Sequence, residues 1–410
     1  MLNPPLSLLP FDLFAYIVDH IAKLPFSNEH LYNLSFVDRV FTQLCQAYIF
    51  KDLHLGYGRG TKSRISNKLE TMRKILSDEP SFANRVRVVT LSISHKRNGW
   101  LFNDFTFITI VQLLAKSPMP PHKLHLSGIT CSFIFDGPIL VAGRLMQSFF
   151  SETLTILHLT QCRNVPLTLF LICPRLREIY MDHVEVTEDN YDKYPDQQCS
   201  GRELPAPEYL SYRNSESLIK FHTGVVVWSK LRVLKLCPHE EKEMARLQPI
   251  LDIACNTLEE LHLTRFAWGT NVKQLPLAGL VNLRDIPCLR VFALHAIIEC
   301  DAQEFVVFRD IKLVLNTIPT SNKVTNLSFG FTIAGEHPFD GCFKEDWVGI
   351  WGEVVRISAG KPLELNLRTV VRPPNFQYPP HRQDELFERI TEKIASLLNY
   401  PNIDTHYTHP

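Results

Sequence analysis

Over roughly the first fifty residues, apolar side chains recur at helical spacing. Leu13, Ile17 and Ile21 follow one another every four positions with Phe14 and Val18 beside them, which predicts one helix with a wide apolar stripe. Pro10 suits the first turn of that helix, and Asp12 sits near the positive end of its dipole. Pro25 ends it. Ser27 or Asn28 can cap a second short helix carrying Leu31 and Leu34. Asp38 can cap a third, with Phe41, Leu44, Cys45, Tyr48 and Ile49 on its inner side. So few short helices bury too little surface to be comfortable alone. The stripe is also wider than they need internally, so part of it is expected to meet another surface.

Further along the chain the period changes. An apolar-x-x-apolar-x-apolar pattern appears as Leu154-Leu157-Leu159, Leu176-Ile179-Met181, Leu231-Leu234-Leu236, Leu258-Leu261-Leu263, Leu289-Phe292-Leu294 and Val324-Leu327-Phe329. A degraded copy stands at Val86-Val89-Leu91, with fragments at Leu124-His125-Leu126 and Leu363-Glu364-Leu365-Asn366-Leu367. The last two apolar residues of each unit fall on one face of a short strand and point into a core, while the residue between them faces out. Middle positions are spaced 22 (157 to 179), 27 (234 to 261), 31 (261 to 292) and 35 (292 to 327) residues apart. This is the grammar of an irregular leucine-rich-repeat solenoid, an α/β fold whose strands line a concave sheet.

The remaining segments read as connections. Residues 67–79 have Leu69, Met72, Ile75 and Leu76 at helical spacing and are expected to join the N-terminal helices to the array. The stretch 184–215 breaks the pattern with Pro195, Gly201, Pro205, Pro207 and many acids, and reads as an inserted exposed loop. Pro373-Pro374 and Pro379-Pro380 mark a linker, after which Leu386, Ile390, Ile394 and Leu398 predict an amphipathic helix capping the open end of the array. The expected organisation is a helical domain over 6–55, a basic linker and helix over 56–84, the array over 85–372, and a Pro-rich linker with its helix over 373–410.

Lys plus Arg and Asp plus Glu both number 43 in the 410 residues, so no global charge argues for nucleic acid or acidic lipid. Locally the balance breaks. From Lys51 to Lys123 there are 13 basic and 5 acidic side chains; from Asp182 to Glu216 there are 9 acidic and 3 basic, a segment that suits a basic partner. No apolar run approaches a membrane span, and the first residues have neither a basic start nor an unbroken apolar stretch, so no signal peptide is expected. Ten Cys without CxxC spacing read as reduced thiols of a cytoplasmic or nuclear protein.

Motifs for chemistry are absent or incomplete. Gly56-Tyr57-Gly58-Arg59-Gly60-Thr61-Lys62-Ser63 resembles a phosphate loop, but Thr61 stands where Gly must precede Lys. Arg59, Lys62, Arg64, Lys68, Arg73 and Lys74 have only Tyr57 interleaved, too little aromatic content for a nucleic-acid groove. Cys237 and His239 lack two further ligands at a zinc spacing. No nucleophile, base and orienter set is visible, so the chain reads as a non-enzyme with no cofactor and no metal.

The N-terminal residues resemble an F-box. The Leu9-Pro10-Phe11-Asp12-Leu13-Phe14 start, Ile17, the run from Leu31 through Val37-Asp38-Arg39-Val40-Phe41, Leu44, and the Ile49-Phe50 and Leu53 close follow that family's landmarks in order. Phe41 stands where many members have Trp, and Asp12 where Glu is commoner. An F-box followed by leucine-rich repeats is also the arrangement of a fungal F-box-like family, which the chain resembles throughout. The resemblance implies binding of a Skp-type adaptor, and through it a cullin ubiquitin ligase, by Leu9, Pro10, Leu13, Ile17, Leu34, Val37 and Phe41. It also implies an unknown protein substrate held on the concave face, where register puts His125, His158, Tyr180, Lys235 and His262, with Thr160, Asp182 and Thr264 next along the strands. No membrane is expected among the partners. The alternative is a leucine-rich-repeat scaffold that recruits no ligase, with Leu13, Ile17 and Phe41 buried against the first repeat.

Overall fold

The computed structural model describes residues 10–25, 27–55, 62–92, 104–128, 152–166, 168–171, 173–187, 203–213, 215, 226–238, 241–264, 276–299, 307–334, 347–372, 380–395 and 400–408. Among them the chain is α/β, with ten α-helices and fourteen β-strands. It divides into two compact units, Met1–Leu176 with Val184–Glu203, and Arg177–His183 with Leu204–Pro410.

The first unit opens with α1 (Phe11–Ala22), α2 (Ser27–Leu34) and α3 (Arg39–Ile49). The helix starts are those the sequence signals. Pro10 flanks α1 with its carbonyl accepting from Leu13 N–H at 3.0 Å, and Asp38 caps α3 by accepting from Val40 N–H at 2.8 Å. Phe14, Val18, Leu31, Phe41 and Cys45 close a core of their own, Phe41 meeting Phe14 edge to face at 4.9 Å. After it come β1 (Asp52–His54), α4 (Lys62–Asp78), a 3₁₀ turn (Pro80–Arg85), β2 (Val88–Ser92), α5 (Phe105–Ala115), β3 (Lys123–Ser127), β4 (Ile156–Thr160), β5 (Val165–Pro166) and α6 (Thr168–Leu171). β6 (Glu178–Asp182) belongs to the second unit, and β7 (Val186–Thr187) returns to the first, where it pairs with β5.

The second unit continues with β8 (Tyr209–Arg213), a 3₁₀ turn (Trp228–Lys230), β9 (Val233–Cys237), α7 (Glu241–Ala254), β10 (Glu260–Thr264), β11 (Val291–Glu299), α8 (Val307–Asn316), β12 (Asn326–Ala334), α9 (Trp347–Ser358), β13 (Leu363–Arg372), α10 (Pro380–Ala395) and β14 (Ile403–Thr408). Twelve strands lie in parallel sheet, and their order is the order of the chain. It runs β1-β2-β3-β4 in the first unit and β6-β8-β9-β10-β11-β12-β13-β14 in the second.

Every apolar triplet seen in the sequence ends in one of these strands. The alternation is the expected one: β3, β4, β6 and β10 bury their second and fourth residues and leave the first, third and fifth partly open. Register then stacks the buried residues into rows, Leu124 beside Leu157 in one unit and Leu234, Leu261, Phe292, Leu327 and Leu365 in the other. Each such leucine contributes about 1.5–3 kcal/mol of burial.

Three expectations are corrected. The stretch 184–215 is not simply an exposed loop, because Tyr209–Arg213 forms β8 with Leu210 and Tyr212 buried between β6 and β9. The capping helix does not end the sheet, since β14 follows α10 and pairs with β13. The joining helix starts at Lys62 rather than at residue 67. Residues 56–61 of the glycine-rich motif lie outside the described residues.

Polar side chains tie successive connections together. The Asp310 carboxylate, buried on α8, accepts from Leu277 N–H at 2.8 Å and Ala278 N–H at 2.6 Å. Arg356 on α9 donates to the carbonyls of Leu315 and Ile318, both at 2.7 Å, and so satisfies acceptors exposed where α8 ends.

Candidate docking surfaces

The three N-terminal helices carry two sets of apolar side chains. One is the core around Phe14 and Phe41. The other is open: of thirteen strongly exposed large apolar side chains among the described residues, Phe11, Leu13, Tyr16, Leu24, Tyr32, Phe36 and Val37 all belong to this short segment. Single exposed apolar residues are ordinary, but a local concentration marks a contact surface. Tyr32 and Phe36 pack edge to face at 4.9 Å, so part of the open set is pre-ordered. Asp19, Lys23 and Tyr48 brace α1 beside it. Lys23 donates to the Asp19 carboxylate at 2.6 Å and the Tyr48 hydroxyl donates to it at 3.2 Å, and these bonds hold the carboxyl below its ordinary range.

The residues carried over from the family resemblance divide between the two sets. Pro10, Leu13 and Val37 are exposed, Val37 at 57%. Ile17 and Leu34 are half-buried against the core. Phe41 is a correction: at 6% exposure it belongs to the core, because α3 turns its ring onto Phe14. Leu9 lies outside the described residues. Phe11, Tyr16, Tyr32 and Phe36 are exposed residues that the stripe reading passed over. For Tyr16 and Tyr32 the signal was available, since they fall off the faces that carry Phe14 with Val18, and Leu31; Phe11 shares the Phe14 and Val18 face and Phe36 follows the end of α2, so spacing did not mark them.

The second candidate surface is the outward face of the strands. In the first unit His54, Thr90, His125 and His158 stand in one row. The imidazoles of His125 and His158 meet edge to face with centroids 5.7 Å apart, and His125 Nε2 lies 3.2 Å from Thr160 Oγ1. Burial and the Lys123 ammonium push the His158 pKa down to about 4, and burial with Lys123 and His54 lowers that of His125. Both shifts favour the uncharged imidazoles.

In the second unit the corresponding row is Tyr180, Ser211, Lys235, His262, Ala293, Ser328, Asn366 and His406. Tyr180, Lys235 and His262 thus share the row that the sequence assigned to them. Tyr209, hidden in the supposed loop, packs its ring 4.6 Å from Tyr180 and takes the Lys235 ammonium at 5.5 Å. Burial, then the hydrogen bond to Glu178, raises the Tyr180 pKa. Burial lowers that of His262 although Glu260, 3.3 Å away, opposes it. Next along the strands, Asp182 lies 2.9 Å from His183 Nδ1 and 3.9 Å from Arg213 Nε, and Thr264 aligns with His295.

Among the described residues no group of three or more His, Cys, Asp or Glu side chains is placed to hold a metal, and no helix is long and apolar enough to cross a membrane. His239 lies outside them. What the two surfaces offer is shape, hydrogen bonds and charge. No protein-family model matches the chain, and no curated protein matches it.

Proposed function

We propose that the chain is the substrate receptor of a Skp–cullin–F-box ubiquitin ligase. The N-terminal helices dock the adaptor through the open face of Pro10, Leu13 and Val37, widened by Phe11, Tyr16, Tyr32 and Phe36. The parallel strands act as an irregular leucine-rich-repeat solenoid whose outward face holds a protein target. The chain-ordered strands, their aligned buried rows and the helices between several of them support that reading. Ubiquitin transfer is done by the partners, and the receptor contributes proximity by raising the effective concentration of target lysines. The scheme needs neither a cofactor nor a membrane, and a receptor of this kind would work in the cytoplasm or nucleus.

One observation carries the proposal: the helices close a core of their own and still leave seven large apolar side chains exposed, Leu13, Tyr16, Val37 and Phe36 among them. A cap that served only the first strands would turn those side chains inward. The test is co-expression with a Skp adaptor, comparing wild type with a Pro10→Ala, Leu13→Asp, Val37→Asp triple variant. A stoichiometric complex lost in a variant of unchanged circular dichroism supports the ligase reading. No complex with folded wild type leaves a scaffold that recruits no ligase.

A further inference from the structure

The first outward position of the second unit's strands carries Glu178 on β6, Glu260 on β10, Glu364 on β13 and Asp404 on β14. Each is met by the outward side chain two residues on. The Tyr180 hydroxyl donates to Glu178 at 3.0 Å and the Asn366 amide to Glu364 at 2.9 Å. His262 stands 3.3 Å from Glu260, and His406 3.2 Å from Asp404. Among the described residues no Lys or Arg forms an ion pair with any of the four. These side chains orient the carboxylates, but among the described residues no lysine or arginine pairs with them. The Glu364 pKa is in fact lowered, first by the Asn366 and Asn326 amides, so that group keeps its charge.

An independent feature points to the same ligand. Tyr209 occupies the same row, aligned with Glu178 on one side and, through Val233, with Glu260 on the other. Its ring packs against Tyr180 and already holds one cation of the chain's own, the Lys235 ammonium at 5.5 Å. The ring is thus set between Tyr180 and a cation, and a target cation stacking there would take the place of the Lys235 ammonium. A planar guanidinium is suited to stack on such a ring while donating to a carboxylate beside it.

We propose that this sheet face receives an extended, arginine-bearing segment of the target, an inference that rests on the receptor reading above. Strand spacing sets the pattern of that segment. Glu178 and Glu260 are three strands apart, as are Glu260 and Glu364, so the carboxylates recur at about 14 Å across the sheet. An extended chain advances about 3.3 Å per residue, so it reaches successive carboxylates with a cation at every fourth position.

The test uses the full chain and a fluorescent peptide with Arg at every fourth position in a Gly-Ser background, read by anisotropy. Saturable binding is expected. Glu178→Gln with Glu260→Gln, and separately Tyr209→Ala, should each weaken it about five-fold or more. A peptide with Glu in place of Arg should bind at least about ten-fold more weakly, and one with its Arg residues side by side should lose part of the affinity. A control with Asp189, Asp192 and Asp196 changed to Asn should bind as wild type does. Three results overturn the inference: no binding of the spaced peptide, loss in the control instead of in the sheet variants, or equal binding of the Glu peptide. Adaptor co-purification is scored on the same preparations. Loss of the adaptor complex with peptide binding intact counts against the ligase reading alone, whereas loss of peptide binding with the complex intact counts against this one.

Discussion

The His295 imidazole lies across the bare backbone of Gly330 on the neighbouring strand. Its Nδ1 stands 2.6 Å from where a Cβ on residue 330 would be, and its Nε2 is 2.9 Å from the Thr332 hydroxyl. The Thr332 contact holds the ring, so it cannot swing away freely. Gly330→Ala is expected to cost about 1–2 kcal/mol, the penalty of forcing a methyl into a filled site. The check is a double-mutant cycle by urea unfolding. His295→Ala removes the obstacle, so Gly330→Ala in that background should be nearly neutral; an equal cost in both backgrounds would refute the steric account.

Asp310 makes a different kind of link. Its carboxylate reaches back from α8 to the Leu277 and Ala278 N–H groups. Asp310→Ala leaves those donors without their acceptor and should destabilise the second unit by about 3 kcal/mol. Asp310→Asn keeps one acceptor oxygen and should lose less. Amide exchange at 277 and 278 distinguishes a local from a global effect: the first variant should speed exchange at both positions even where the rest of the unit stays protected.

How much of this was legible beforehand depended on periodicity. A Leu-x-Leu pair in a strand declares its inward face by itself, and each apolar triplet named from the sequence ends in a strand, whereas Leu313-Val314-Leu315 falls inside α8. β8 was missed because Pro205 and Pro207 stand ahead of Leu210 and Tyr212, so the tract read as a loop although both prolines are buried. Leu53-His54-Leu55 is such a pair too, both leucines buried at β1, but so short a strand directly after α3 reads as the close of the helical segment. On the docking side, the stripe of α1 was visible but its division was not. Leu13 and Phe14 are one residue, and so about 100°, apart on a helix. Which of them meets the core depends on where α3 packs, and the spacing of α1 alone does not say.

The histidines of the first unit give stability a pH dependence of defined sign. His158 has a pKa near 6.5 in an unfolded chain and about 4 here, lowered by burial first and then by Lys123 and His125. Between those values the unfolded chain binds more protons, so stability is full above about pH 6.5 and is lost as pH falls toward 4. The expected loss is about 1–2 kcal/mol, well below the full linkage value because the ring is only half-buried. Urea midpoints at pH 7.5, 5.5 and 4.5 should show the decline, and His158→Gln should flatten it. A decline of the same size in that variant would assign the effect to other groups.

Phe41 and Leu13 separate the buried core of the N-terminal helices from the face proposed to dock an adaptor. Phe41 is buried edge-on against Phe14, so Phe41→Ala should cost about 3 kcal/mol and loosen the three helices. Leu13 is 42% exposed in the first turn of α1. An aspartate there faces solvent at the positive end of the helix dipole, so Leu13→Asp should change stability by no more than about 0.5 kcal/mol. Adaptor binding should report the opposite order. Leu13→Asp should abolish co-purification while leaving the urea midpoint in place. A mild core change, Phe41→Leu, should lower the midpoint while the complex still forms. If Leu13→Asp unfolds the helices, the open face is part of their core after all; if it leaves both fold and complex intact, the adaptor docks elsewhere.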